Sequence, residues 1–337
     1  MIQTQCRKCV LDKSAEEITF DSDGVCNFCI TAQQSLKDIK ELKLPEIKGN
    51  KYDVLIGLSG GVDSSYLLHK AVEMGLRPLT FSVDNGWNDP KADENIMRLV
   101  EGMKVPFYRY TIDLKKFRDL QSAFMLAGQK NLEIPTDHVL LATTYEMASR
   151  NGIKWILSGG NVTTESIMPA SWGYNARDLV HIKDVFKKMK GRKLKGLPTI
   201  SLLKWNYYKW IKGIKTLYLL DYLEYNREEA IKTLEKKYGY KPYGEKHCES
   251  TFTWWFQNYY LFEKFGIDKR KAHLSSLINS GQMTREQALY ELGKCPEYPQ
   301  LGLEEKVMKY KPQPYTNFNT DEKLFNRISK FVKLWKF

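Results

Sequence analysis

The stretch from Tyr52 to Met74 constrains the fold more than any other part of the chain. A short apolar, partly β-branched run ends at Leu58, two adjacent glycines follow within SGGVDSS, and SSYLLHKAVEMG then has helical spacing. Such a run suits a strand buried in a parallel sheet, so the segment reads as strand, glycine turn, helix. Gly60 and Gly61 permit positive φ and leave no Cβ in the way, which lets successive N–H groups close around an anion. The following helix points its positive end at the same place. A phosphate or pyrophosphate is the expected occupant. Neither G-x-x-x-x-G-K-[ST] nor a well-placed G-x-G-x-x-G after a strand occurs, so this is a different phosphate cradle.

The alternation continues beyond the loop. Strands are predicted over 53–58, 77–83, 106–112 and 153–158, with helices near 64–75, 90–103, 115–128 and 138–151. The expected fold is α/β, a doubly wound parallel sheet with helices on both faces and ligands at the carboxyl ends of the strands. Three loops fall at those ends: LSGGVDSS, VDNGW and LSGGNVTTES. They should converge on one cleft, where Asp84 or Asn85 meets a base or ribose, Gly159 and Gly160 approach the nucleotide, and Asn161 with Glu165 borders the reacting groups.

Four of the six cysteines form Cys6-x-x-Cys9 and Cys26-x-x-Cys29, sixteen residues apart. In a chain expected to be cytoplasmic this spacing indicates a zinc ribbon, with Ile18 to Phe20 as a strand and SDG as a turn. Four thiolates complete the coordination shell, so the metal is read as structural, supplying about 10 kcal/mol to a segment too small for its own core. A catalytic dithiol is the competing reading. Cys248 and Cys295 stand alone.

With 337 residues the chain can form one large or two modest domains. No apolar run approaches the ~20 residues of a membrane span, and the start MIQTQCRKC does not resemble a signal peptide, which gives the cytoplasmic expectation. The net charge of +12 is uneven. Between His181 and Thr216 there are eleven Lys or Arg against one acid, Asp184, a local excess of ten that favours anionic partners.

The expected organisation is a ribbon and connecting helix over 1–45, a phosphate-loop domain over 50–196, and a helical region over 197–337 with no obvious strands. Within 1–45 a polar helix is expected from Thr31 to Leu42, and PEIKGNK is a linker. In the helical region Gly281 ends one element, and Thr284 with Gln287 forms a capping box. The last helix places Leu324, Phe325, Ile328, Phe331, Val332 and Trp335 on one face among basic residues, suited to docking on the protein body or a partner, or to a peripheral membrane contact.

SGGVDSS resembles the signature of the N-type ATP pyrophosphatase, or PP-loop, superfamily. CRKCVLD…ITFDSDGVCNFC, LSGGNVTTE and YGEKHCESTFTWWFQNYYLFEKFGIDKRKAHLSSLINSGQMTREQAL narrow the likeness to the N-acetyl sugar amidotransferases of surface polysaccharide and nonulosonic acid biosynthesis. The resemblance implies conversion of an acetamido group of a free or nucleotide-linked diacetamido sugar to an acetamidino group, with ATP cleaved to AMP and pyrophosphate. It further implies that Ser59, Gly60, Gly61, Ser64 and Ser65 cradle pyrophosphate and that Asp63 holds Mg²⁺. Lys183 is a candidate further phosphate contact, and His247, Glu249, Lys269, Arg270 and His273 are candidates for the sugar. No glutaminase motif is present, so the chain is not expected to make its own ammonia, and the resemblance implies its supply by separate glutaminase and cyclase-like subunits. The rival is a tRNA-modifying PP-loop enzyme, disfavoured because no C-x-x-C lies outside the ribbon; no stable nucleic-acid complex is expected. A non-enzymatic ribbon adaptor would leave the phosphate loop without a purpose.

Overall fold

The computed structural model describes residues 3–243 and 248–321. Its centre is a sheet of five parallel strands, β1 (Val54–Gly57), β2 (Pro78–Asp84), β3 (Phe107–Thr111), β4 (Trp155–Leu157) and β5 (Lys215–Leu217), in the order β3-β2-β1-β4-β5. Val54 of the central strand pairs with Pro78 on one side and with Trp155 on the other. A strand flanked on both sides and covered on both faces must be apolar throughout, and Val54, Leu55 and Ile56 are all fully buried.

The residues alternate in the faces they serve. Val54 and Ile56 pack with Leu67 and Leu68 of α2 (Val62–Glu73), Leu99 of α3 (Pro90–Gly102) and Leu234 of a later helix. Leu55 packs instead with Phe81, Ala142 and Tyr145, the last two from the long helix between β3 and β4. The other helices before β5, in chain order, are α1 (Asn27–Asp38), α4 (Leu114–Leu126), α5 (Ile134–Arg150), α6 (Val162–Glu165), α7 (Leu179–Lys190) and α8 (Leu202–Asn206). After β5 come α9 (Arg227–Tyr238), α10 (Thr251–Trp255), α11 (Leu261–Phe265), α12 (Arg270–Asn279), α13 (Arg285–Gly293) and α14 (Glu304–Lys309). Leu234 lies on α9, which closes the first face.

β1 leads to β2 and β3 on one side, then the chain crosses back to β4 and β5 on the other. The switch point therefore lies between β1 and β4, and the crevice opens beyond their carboxyl ends. Both glycine loops begin there.

The four expected strands all form. The helical region adds a fifth, β5, that the sequence reading did not contain. It has three residues, of which Lys215 and Thr216 are exposed, too short and too polar to show a strand period. In the ribbon the expected strand Ile18 to Phe20 reduces to one bridge, Phe20 with Cys26, because Cys26 already caps α1. For the same reason α1 starts at Asn27, ahead of the expected Thr31. The predicted capping box of Thr284 and Gln287 is present at α13. The basic amphipathic helix expected at the carboxyl end, and His247, lie outside the described residues.

The ribbon has no separate core. Its four cysteines and Leu11 are fully buried in a cluster that includes Phe117, Phe124, Trp255 and Tyr260. Val10 donates its N–H to Ser275 Oγ at 3.3 Å, and Asn279 Nδ2 donates to Cys29 Sγ at 3.2 Å. The amino-terminal metal-type site is thus built onto α12.

Candidate active site

The loop after β1 is held by its own hydroxyls. Ser64 Oγ donates to the Gly61 carbonyl at 3.2 Å, the Ser59 N–H donates to Ser64 Oγ at 3.3 Å, and the Gly61 N–H donates to Ser59 Oγ at 3.2 Å. Gly60 takes a φ of +82°, and a Cβ there would lie 2.4 Å from the Ala92 carbonyl oxygen, so both conformation and space require glycine. Across the switch point, a Cβ on Gly159 would come within 3.1 Å of the Ser64 backbone nitrogen. The two glycine loops therefore touch backbone to backbone.

A cavity of about 270 Å³ opens over this contact, lined by Ser59, Gly61, Asp63, Ser64, Arg227 and Glu249 among others. Gly159, Gly160 and Glu165 form its far wall. Asp63 stands in the first turn of α2 and accepts a hydrogen bond from the Tyr225 hydroxyl. Burial and the Asp63 carboxylate hold the Tyr225 phenol far above its ordinary range, so it remains a donor. A phosphate cradle that faces three carboxylates, Asp63, Glu165 and Glu249, needs cations to accept a polyphosphate. Arg227 supplies one from the protein, and the oxygen of Asp63 is a suitable hard donor for Mg²⁺ shared with phosphate oxygens.

A larger cavity of about 640 Å³ adjoins the first at Ser59, Glu165 and Glu249. It runs along the carboxyl ends of β1 and β2 and is also lined by Asn85, Glu133, Asp137 and Lys269. A third, of about 270 Å³, meets both at Glu165 and lies against α12, where Arg270 and His273 face it.

Among the described residues, Cys6, Cys9, Cys26 and Cys29 are the group that could hold a metal ion unaided. All four sulfurs lie within 4.8 Å of one another and all four residues are buried. Divalent metal binding would keep them as thiolates.

Most of the predicted site residues meet here, with instructive exceptions. Ser59, Gly61, Asp63, Ser64, Gly159, Gly160, Glu165 and Glu249 line the first cavity, and Asn85 and Lys269 the second. Gly60 turns its carbonyl away to the Tyr240 hydroxyl, and Ser65 is fully buried beneath the loop. Asn161 caps α6 through the Thr164 N–H at 2.8 Å, and Asp84 accepts from the Gly86 N–H at 2.9 Å, closing its own turn. Arg270 pairs with Asp268 at 2.8 Å and donates to the Lys294 carbonyl at 3.0 Å, which anchors the end of α13. His273 Nδ1 donates to the Thr164 carbonyl at 3.2 Å. Lys183 is not brought to the loop: it lies on the exposed face of α7, whose buried face, with Ile182, Val185 and Phe186, packs on α4 and α5. The sequence reading missed Arg227, which carries no local signal, and the pair Glu133 and Asp137, whose four-residue spacing at the start of a helix was the available clue.

The fold is a parallel α/β sheet with a glycine loop at its switch point, where such sheets take their ligands. Residues 249–328 match the family model described as "LPS biosynthesis protein WbpG-like, C-terminal domain". The chain thus carries a WbpG-like carboxyl-terminal domain, and Glu249 and Lys269 of that domain line the cavities at the glycine loop.

Solved structures with some likeness include the U34-tRNA thiolase NcsA from Methanococcus maripaludis with its [4Fe-4S] cluster. It is 15% identical, covering 95% of this chain and 100% of its own, at a TM-score of 0.36. The NH3-dependent NAD synthetase from Campylobacter jejuni subsp. jejuni NCTC 11168 in complex with the nitrate ion is 14% identical over 62% of this chain and 80% of its own, at 0.30. NMN synthetase from Francisella tularensis is 16% identical over 67% and 89%, at 0.30. Likenesses at this level do not decide an activity. No curated protein matches the chain.

Proposed function

We propose that this protein is an ATP-dependent amidotransferase that converts an acetamido group of an N-acetyl sugar to an acetamidino group. One observation carries the reading. Glu249 and Lys269, both within the matched lipopolysaccharide-biosynthesis domain, line cavities that share Ser59 with the phosphate loop. The domain that marks the pathway thus contributes walls to the place where ATP chemistry would occur.

An amide oxygen is a poor leaving group, so ammonia does not displace it unaided. Transfer of AMP to that oxygen, with release of pyrophosphate, makes it a good one. Ser59, Ser64 and the Gly61 N–H would bind the departing pyrophosphate, with Arg227 countering its charge. Mg²⁺ bound with the phosphates would supply further positive charge, with Asp63 as its protein ligand. Ammonia would come from separate glutaminase and cyclase-like subunits, and the sugar would be free or nucleotide-linked.

We assign zinc to the four cysteines. Sγ–Sγ separations of 3.9 Å for Cys6–Cys29 and 3.8 Å for Cys9–Cys26 agree with the edge of about 3.8 Å for a tetrahedron of 2.3 Å Zn–S bonds.

The test is AMP and pyrophosphate release from ATP, Mg²⁺ and ammonium across a panel of diacetamido sugars, with the sugar product read by mass spectrometry. The expected product is lighter by the difference between an oxygen and an NH group, and it is lost in Asp63→Ala. AMP release on addition of tRNA, and with no sugar, would overturn the reading.

A further inference from the structure

The second cavity contains chemistry that phosphate binding does not use. Glu133 precedes α5 as its cap residue and Asp137 follows one turn later, so the two carboxyls share a helix face. Both line the cavity, together with Lys269 at the start of α12. Glu133 is only 9% exposed, and its Oε1 has no hydrogen-bond partner among the described residues. Leaving a buried carboxyl oxygen unsatisfied costs free energy, and an oxygen kept in that state beside an open cavity is a place for a ligand's N–H.

The cavity is acid-rich. Glu165 and Glu249 stand where it joins the phosphate loop, so four carboxyls face one lysine. Such a wall suits a ligand that is cationic or becomes so.

Resting on the amidotransferase reading, we infer that Glu133 and Asp137 form the subsite for the nitrogen nucleophile and for the amidinium cation that it generates, with Lys269 holding the pair in place. The adenylated amide is a cationic imidate. The lone pair of ammonia forms the new C–N bond at its carbon, and one proton of the added nitrogen passes to the Asp137 carboxylate. The C–O bond to AMP then breaks, its electron pair leaving with AMP, and the C=N bond re-forms. The product is an amidinium of charge +1, and the unsatisfied Oε1 of Glu133 accepts one of its N–H groups.

The protonation of the pair fits this division. Burial and the nearby Asp137 push Glu133 up to about 8. Asp137 is exposed to the cavity, and desolvation by the surrounding protein raises it to about 6 against the opposing Lys269. Near neutrality the pair therefore holds about one proton and offers one ionised carboxylate. Burial lowers the Lys269 ammonium, while Asp137, Glu133 and Glu165 oppose that shift.

Glu133→Gln and Asp137→Asn in the full chain test this with two readouts. Sugar-dependent exchange of pyrophosphate into ATP reports adenylation, and amidine formation against ammonium concentration reports the nitrogen step. We expect both variants to keep exchange within about threefold of the unsubstituted protein while Asp137→Asn loses amidine formation by roughly 10²-fold or more, the scale of a lost proton acceptor. Acetamidinium chloride should compete with ammonium in the unsubstituted protein; that competition should persist in Glu133→Gln, which keeps the accepting oxygen, and weaken at least about tenfold in Glu133→Leu, which deletes it. Unchanged amidine formation in Asp137→Asn and unchanged competition in Glu133→Leu would overturn the inference, as would parallel loss of exchange and amidine formation in variants with native melting temperatures. If one variant fails to fold, the other and the acetamidinium competition in the unsubstituted protein decide. Absence of exchange with every sugar in the unsubstituted protein would overturn the amidotransferase reading itself, a result distinct from any of these.

Discussion

The hydroxyl of Tyr240 donates a 3.1 Å hydrogen bond to the carbonyl of Gly60, tying the segment after α9 to the middle of the phosphate loop. Burial holds this phenol above its ordinary range, so it stays a donor at working pH. Tyr240→Phe should therefore cost about 1 kcal/mol of stability and weaken ATP binding without abolishing turnover. Gly60→Ala should do far worse. Its φ of +82° alone costs roughly 1–2 kcal/mol, and the new Cβ would meet the Ala92 carbonyl. AMP release and melting temperature, measured on both variants, should rank them in that order.

Asp63 carries the second prediction. Asp63→Asn keeps an oxygen that can accept from Tyr225, so the fold and melting temperature should survive, while the charge needed beside a metal-bound polyphosphate is gone. AMP formation should fall by two orders of magnitude or more, on the scale of a lost electrostatic group. A variant with unchanged AMP formation would remove Asp63 from the ATP site.

Metal removal gives the third. One zinc per chain is expected by atomic emission. Stripping it should lower the melting temperature sharply, because the four cysteines share a core with Phe117 and Trp255 rather than forming a detachable ribbon. Cys29→Ser should behave like the stripped protein even with zinc in excess.

The fourth concerns pH. His181 is fully buried among Phe124, Tyr174, Tyr315 and Phe318, with neither ring nitrogen hydrogen-bonded among the described residues. Burial pulls it down to about 4, against the pull of Asp178 and Asp184. Its value unfolded is about 6.5, so between the two the unfolded chain binds more protons and stability falls as pH falls. Between pH 7 and 5 this group should remove about 2 kcal/mol by proton linkage. His181→Phe should show a shallower loss over the same window in urea titrations, and the carboxyl groups common to both proteins cancel in the difference.

How far the sequence reached can be seen at particular residues. Val54 to Ile56 announced a central parallel strand because burial on both faces forces continuous apolarity. The glycine loop was legible because few reasons exist for Gly60, Gly61 and two serines to stand together at a strand end. β5 was not, since an exposed three-residue edge strand has no period to read. Arg227 reaches the loop only through the packing of α9 on α2 and α3, a long-range relation that spacing cannot carry. Glu133 and Asp137 were missed because the expected helix began at 138, whereas α5 starts at Ile134 with a proline in its first turn.

Lys269 caps the start of α12, and Asn279 at its last turn donates to Cys29 Sγ. Ten residues of helix set these ends about 15 Å apart on a single stiff rod. A chain without metal at the four cysteines would have that rod loose at the far end, and Lys269 in the wall of the second cavity would lose its alignment with it. Competence for the nitrogen step would then follow metal delivery in the order of maturation, so freshly made, unmetallated copies would not complete the proposed transfer.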